Sequence, residues 1–174
     1  RRGGPRRDQH PLLGRAVASG AGLVTRDAWN PAQYERFRDE RTQPFHDLVA
    51  LVRRATEMRV VDLGCGTAEL TRRLHEALGA RETLGIDASP AMLERARAQA
   101  GAGLRVEEGD IAEFRADGAF DLVFSNAALH WVPGHEELFR RLADALTPEG
   151  QLAVQVPANF DHASHTVAAA VAAE

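Results

Sequence analysis

The segment Asp62-Leu63-Gly64-Cys65-Gly66-Thr67-Ala68-Glu69 follows an apolar run and leads into residues of helical period. A buried strand that ends in two closely spaced glycines and turns at once into a helix belongs to few architectures. Gly64 and Gly66 let the backbone turn sharply and approach a ligand with no Cβ in the way. Asp87 closes the next apolar run, Thr83 to Ile86, and so places a carboxylate at the end of a second strand. From there it can accept both hydroxyls of a ribose. Loop and acid together describe a nucleoside site.

The rest of the chain alternates in the same way. Strands are predicted at Met58 to Leu63, Thr83 to Ile86, Leu104 to Glu107, Phe120 to Ser125 and Leu152 to Val156. Helices are predicted over about Ala68 to Leu78, from Pro90 (capped by Ser89) to about Ala100, and over Glu136 to Leu146, closed by Thr147-Pro148-Glu149-Gly150. Strict alternation predicts an α/β fold, a doubly wound, Rossmann-like and mostly parallel sheet with helices on both faces. Ligands of such sheets bind at the carboxyl ends of the strands, where strand order reverses. Residues 58–157 form this core. Before it, residues 29–57 read as a helical leader: Asn30-Pro31 opens one helix to about Asp39, and a second begins near Pro44 with Phe45, Leu48, Val49, Leu51 and Val52 at helical spacing. Residues 1–28, with arginines among Gly and Pro, show no period and are expected to be a flexible arm. They lack the Ser content and amphipathic helix of a transit peptide.

Composition narrows the function. All 21 basic residues are arginine, so lysine Schiff bases, lysine-bound pyridoxal phosphate and a Walker lysine are excluded. Mutational bias in an Ala- and Arg-rich sequence explains the missing lysine more simply than selection does, and the exclusion holds either way. A net charge of -4 argues against a nucleic-acid-binding surface. No uncharged apolar run reaches the ~20 residues that span a membrane. Cys65, the one cysteine, cannot form an internal disulfide, which points to a reducing cytoplasm. It has no candidate base beside it and reads as packing. His162 and His165 have a spacing a metal could use but no third ligand, so no metal is expected.

The site's acids decide which nucleoside. A dinucleotide loop wants Gly or Ala where Glu69 stands, and a carboxylate there faces a pyrophosphate unfavourably. Asp62 repels phosphate too, and suits a cationic amino-acid group. At this point the chain resembles the class I S-adenosylmethionine-dependent methyltransferases. The resemblance rests on Asp62-Leu63-Gly64-Cys65-Gly66-Thr67, Gly85-Ile86-Asp87, Ser89-Pro90-Ala91-Met92-Leu93, Gly109-Asp110, Phe120-Asp121-Leu122-Val123 and Leu146-Thr147-Pro148-Glu149-Gly150-Gln151-Leu152. It spans about Met58 to Val156. Ala68 departs from it, standing where many members carry a third glycine, with a modest effect expected. The resemblance implies S-adenosyl-L-methionine as cofactor and S-adenosyl-L-homocysteine as product. It implies that Asp62, Gly64 and Gly66 line the methionine part and that Asp87 holds the ribose. Ala88 and Met92 then lie beside the adenine, Asp110 accepts from its amino group, Ile111 packs nearby, and Asn126 and Ala127 close the site near the sulfonium. Taken singly, Asp110 reads as a helix cap and Met92 as a core residue.

A narrower likeness is carried by Ser125-Asn126-Ala127-Ala128-Leu129-His130-Trp131-Val132-Pro133, by Val154-Gln155-Val156-Pro157-Ala158-Asn159-Phe160, and by Trp29-Asn30-Pro31 with Tyr34, Phe37, Arg41 and Pro44. These are similar to the trans-aconitate 2-methyltransferases, which implies esterification of a small polycarboxylic acid. The end of strand four is not Asn/Asp-Pro-Pro-Tyr, which weighs against nucleobase or glutamine N-methylation. A carboxylate is ionised at neutral pH and needs no general base, so no catalytic side chain is assigned. A polycarboxylate needs arginine forks and neutral donors. Tyr34, Arg38, Arg41 and His130 are the substrate-side candidates, with Trp131 beside them. Arg38 and Arg41 read more simply as solvated helix charges, and His130 reads equally as a structural hydrogen-bonding residue. The resemblance also implies further strands after the fifth, so a chain truncated there is expected, with residues 158–174 starting a segment that covers the substrate. An uncovered sheet edge invites association, and the oligomeric state stays open. A nicotinamide-dependent oxidoreductase, a methyltransferase for small hydroxylated metabolites and a cofactor-binding domain without turnover are the alternatives.

Overall fold

The computed structural model describes residues 38–158, with side chains from residue 42 onward. The elements in order are α1 (Arg38–Leu51), β1 (Arg59–Leu63), α2 (Glu69–Leu78), β2 (Glu82–Asp87), α3 (Pro90–Ala96), β3 (Leu104–Glu108), β4 (Phe120–Asn126), α4 (His135–Asp144) and β5 (Leu146–Gln155). Short 3-10 turns lie at Arg97–Gln99, Ile111–Glu113 and Leu129–Trp131. The strands form a five-stranded sheet in the order β3-β2-β1-β4-β5, and every neighbouring pair is parallel. Strand order reverses between β1 and β4, which places the predicted site at their carboxyl ends.

Period-two alternation in the strands sorts the core onto two faces. Val60, Leu122 and Phe124 pack against Phe45, Leu48, Val49 and Val52 of α1 and Leu74 and Leu78 of α2. Val61, Leu63 and Val123 point the other way, into a cluster with Phe114, Leu129, Leu138 and Leu142. Helices therefore cover both faces, as the alternation predicts.

Four expectations change in detail. The second leader helix does not begin at Pro44: α1 already runs from Arg38 and holds Pro44 within it. A proline loses one backbone bond there, and the buried stripe Phe45, Leu48, Val49 and Val52 keeps the helix on the sheet regardless. Leu51, expected in that stripe, is 79 % exposed. The crossover from β3 to β4 contains only a 3-10 turn, so the alternation is not strict. Finally, α4 stops at Asp144, and Leu146 to Gly150 belongs to β5. Phe120 pairs with Leu146 and Leu122 with Gln151, so the Thr147-Pro148-Glu149-Gly150 segment bulges out of register within the strand instead of closing a helix. The arm at residues 1–28, the first leader helix with Trp29 and Tyr34, and the tail from residue 159, with Phe160, His162 and His165, lie outside the described residues.

Two polar clamps hold the frame. The Gln151 side chain accepts from the Arg53 backbone N–H at 2.8 Å and donates to the Arg53 carbonyl at 2.8 Å, fastening the chain after α1 to β5. Asp121 accepts from the Arg59 backbone N–H at 2.8 Å and pairs with its guanidinium at 3.3 Å, joining β4 to β1 at the end remote from the site. Burial pushes the Asp121 carboxyl up, but these donors and Thr147 outweigh it and hold it below its ordinary range.

Glu57, exposed in the turn before β1, sits at φ +58. A side chain with a Cβ costs about 1 kcal/mol in this left-handed region. Glu57→Gly is therefore expected to stabilise the chain by about 1 kcal/mol, read as a rise in the urea midpoint at unchanged m-value.

Candidate functional site

The glycine loop is built by backbone bonds from β2. The Gly64 and Cys65 amides both donate to the Ile86 carbonyl, at 2.8 and 3.0 Å, which wraps the loop over the end of that strand. Gly64 has φ +82, and a Cβ on it would lie 2.3 Å from the Ala128 Cβ. The loop after β4 thus closes directly onto the glycine loop, with the Ile111 Cδ1 3.6 Å from the same point. Gly66 has φ +56. The Ser125 hydroxyl, fully buried, donates to the Leu63 carbonyl at 2.8 Å and ties β4 to β1 where the two begin to separate.

Asp87 locks this arrangement. One carboxylate oxygen accepts from the Gly66 amide at 2.8 Å, the other from the Ser89 amide at 2.9 Å. Each oxygen keeps a further lone pair for a hydroxyl. The Gly109 amide donates to the Asp87 carbonyl at 3.0 Å, which brings Asp110 beside the same strand end. Burial raises the Asp87 pKa, and the Ser89 and Gly66 amides pull it back only in part. Asp62 is 5 % exposed at the end of β1 and accepts from the Thr71 hydroxyl of α2 at 2.6 Å. Burial lifts its pKa to about 7; Thr71 lowers it and the Asp87 charge raises it again. No cationic side chain among the described residues offsets these two acids.

The other predicted residues are placed as follows. Ala88 is exposed next to Asp87, whereas Met92 is buried in α3, its amide bonded to the Ser89 hydroxyl at 3.4 Å. Asp110 caps the 3-10 turn, one oxygen accepting from the Ala112 amide at 2.8 Å, and the other has no donor among the described residues. Asn126 ends β4, and Ala127 follows it at φ +56, a strained non-glycine position at the switch point. His130 and Trp131 come next, their rings 4.7 Å apart, with Trp131 63 % exposed. Burial and the neighbouring His135 lower the His130 pKa. Arg38 and Arg41 lie on α1; Tyr34 is outside the described residues. Among the described residues no group of three or more His, Cys, Asp or Glu could hold a metal, and no helix is long and apolar enough to cross a membrane. Cys65 is buried against Gly85, and burial pushes its thiol far up, so it is packing.

Three contacts are not predicted from the sequence: Thr71 stands in none of the motifs, and Ser125 and Ala128 stand in one without a role. The fold shows that Thr71 bonds Asp62, Ser125 bridges the switch point and Ala128 roofs Gly64. Ala68, the departure from the glycine pattern, is fully buried at φ +56 and caps α2. The conformation that glycine serves elsewhere is thus kept here by an alanine.

The arrangement defines a doubly wound α/β domain in which the glycine loop and two acids meet at the carboxyl ends of β1 and β2. Residues 60–150 match the family described as the methyltransferase domain, and the chain belongs to that family. A trans-aconitate 2-methyltransferase of Deinococcus radiodurans is 51% identical over 146 residues, covering 84% of this chain and 56% of that protein. One from Escherichia coli O1:K1 / APEC is 42% identical over 146 residues, covering 84% of this chain and 58% of that protein. The chain therefore spans little more than half the length of these curated relatives. A crystal structure of an S-adenosylmethionine dependent methyltransferase from Mesorhizobium loti is 38% identical with a TM-score of 0.57, over 62% of this chain and 49% of that one.

Asp62→Asn tests the electrostatics. With a native pKa of about 7 above the unfolded carboxylate's ordinary value, Asp62 keeps its proton in the folded state while the unfolded state releases it. Its contribution to stability is full below the unfolded pKa and is lost as pH rises through about 7. The neutral isostere escapes that loss. D62N is expected to be more stable than the parent by on the order of 2 kcal/mol at pH 8, with the gap closing toward pH 4, in thermal melts at both pH values.

Proposed function

We propose that this chain carries the cofactor-binding part of an S-adenosylmethionine-dependent methyltransferase that esterifies a carboxylate of a small polycarboxylic acid, with trans-aconitate the leading substrate. The observation that carries the proposal is the pair Asp62 and Asp87, two carboxylates at the ends of the neighbouring strands β1 and β2 that no cationic side chain offsets among the described residues. An ammonium, a sulfonium and a ribose diol complement both acids; a pyrophosphate opposes them.

In this reading Asp87 accepts from the ribose hydroxyls through the lone pairs its backbone donors leave open. Ala88, Met92 and Ile111 bound the adenine side, and the second oxygen of Asp110 accepts from the adenine amino group. Asp62, Gly64 and Gly66 face the methionine part, with Asn126 and Ala127 near the sulfonium. The bound cofactor supplies an electrophilic methyl group. A carboxylate nucleophile arrives already ionised, so the protein's contribution is alignment and exclusion of water. His130, its pKa lowered, serves at neutral pH as a neutral hydrogen-bonding group and not as a second cation. The positive clamp then falls to arginines, with Arg38 and Arg41 on α1 the candidates and Tyr34 and Trp131 beside them. Residues 29–57 act as the leader over the cofactor and residues 158–174 as the start of the substrate cover. The single, buried Cys65 fits a reducing compartment such as the cytoplasm.

Labelled S-adenosylmethionine incubated with a panel of small acids and phenols decides the substrate class. The expected product is the methyl ester of trans-aconitate, and preference for phenols would overturn the carboxylate assignment. Asp87→Asn is expected to weaken S-adenosylhomocysteine binding about tenfold or more by calorimetry, because it removes a charged acceptor of two hydroxyls.

A further inference from the structure

Thr71 has no place in the nucleoside site as sequence patterns define it, yet it makes the shortest side-chain contact to the acids there. It is completely buried in the first turn of α2, and its hydroxyl donates to Asp62 Oδ2 at 2.6 Å. Oδ1 of Asp62 accepts from no donor among the described residues. One oxygen of Asp62 is thus held from the helix side while the other is left for a ligand.

We propose that Thr71 is the positioning residue for Asp62: its hydroxyl orients the carboxylate toward the cationic amino end of the bound nucleoside and favours the ionised form, so that binding drives a proton off Asp62. The inference rests on the function proposed above and deepens it. The groups that act on Asp62 come from each element around it. From α2 comes the uncharged donor Thr71, from β2 the like-charged Asp87, and from the loop the thiol of Cys65, itself burdened by both carboxylates. Glu69 and His75, on the same helix, are engaged with Arg73 at 3.1 Å and Thr83 at 2.9 Å. From β4, Phe124 stands beside Asp62 in the sheet. With only acids and neutral groups around it among the described residues, Asp62 holds its proton to higher pH than an ordinary carboxyl, and an arriving cation favours its ionised form. A protonated amine is such a cation, and the proton balance is simple. The Asp62 carboxyl releases its proton to solvent, and the ammonium keeps its own.

The test uses the full 174-residue chain and two probes. S-adenosylhomocysteine carries the amino-acid end; 5'-methylthioadenosine has the same adenosine and lacks it. Calorimetry in buffers of different ionisation enthalpy is expected to show S-adenosylhomocysteine affinity rising about tenfold from pH 6 to pH 8, with proton release, while 5'-methylthioadenosine affinity stays flat. Thr71→Val is expected to weaken S-adenosylhomocysteine about tenfold at pH 7 and move its pH midpoint upward. It should leave 5'-methylthioadenosine unchanged, and Thr71→Ser should restore the parent profile. Should T71V fail to fold, Thr71→Ala, which removes the same hydroxyl, carries the same expected shifts. A flat S-adenosylhomocysteine profile without proton release, or a T71V profile that coincides with the parent's, overturns the inference while leaving the nucleoside site standing. Failure of both probes to bind at any pH overturns the proposed function itself.

Discussion

The hydrogen bond from the Gly66 amide to Asp87 is the contact on which the site depends. It spans from the glycine loop to the end of β2 and holds the loop in left-handed backbone that only a residue without a Cβ adopts at low cost. The same carboxylate anchors the start of α3 through the Ser89 amide. One acid thus positions the loop after β1 and the helix after β2, and burial raises its pKa in return. A charged group placed this way is a cost to the empty fold, and a complementary ligand offsets it.

Asp62 extends the same logic. An acid 5 % exposed beside a second acid is a cost to the stability of the empty fold. Such sites are where stability is given up for binding. The frame that tolerates this strain is ordinary: alternating strand residues packed between helices on two faces, a bridge from Ser125 to Leu63 across the switch point, and the Gln151 and Asp121 clamps elsewhere.

Most of the sheet was legible because its signals are local. Apolar runs of strand length, Ser89-Pro90 as a cap and Gly64 and Gly66 at a strand end each speak for themselves. What was not legible depended on tertiary packing. Pro44 reads as a helix start, but the buried stripe from Phe45 to Val52 carries α1 through it. Thr147-Pro148-Glu149-Gly150 reads as a helix closure, whereas pairing with β4 on both sides absorbs it as a bulge. At the site, the acids and glycines were visible by type and spacing. Thr71, Ser125 and Ala128 were not, because a hydroxyl or methyl acquires a role only when another element lies against it.

In the proposed function the buried Asp62 and the half-buried Asp87 select a cationic nucleoside over a phosphate-bearing dinucleotide. Titration calorimetry of this chain at pH 8 with S-adenosylhomocysteine and, separately, with NADH tests it most directly. Saturable one-to-one binding of S-adenosylhomocysteine and no heat of binding with NADH are expected. Binding of NADH with none of S-adenosylhomocysteine would contradict it.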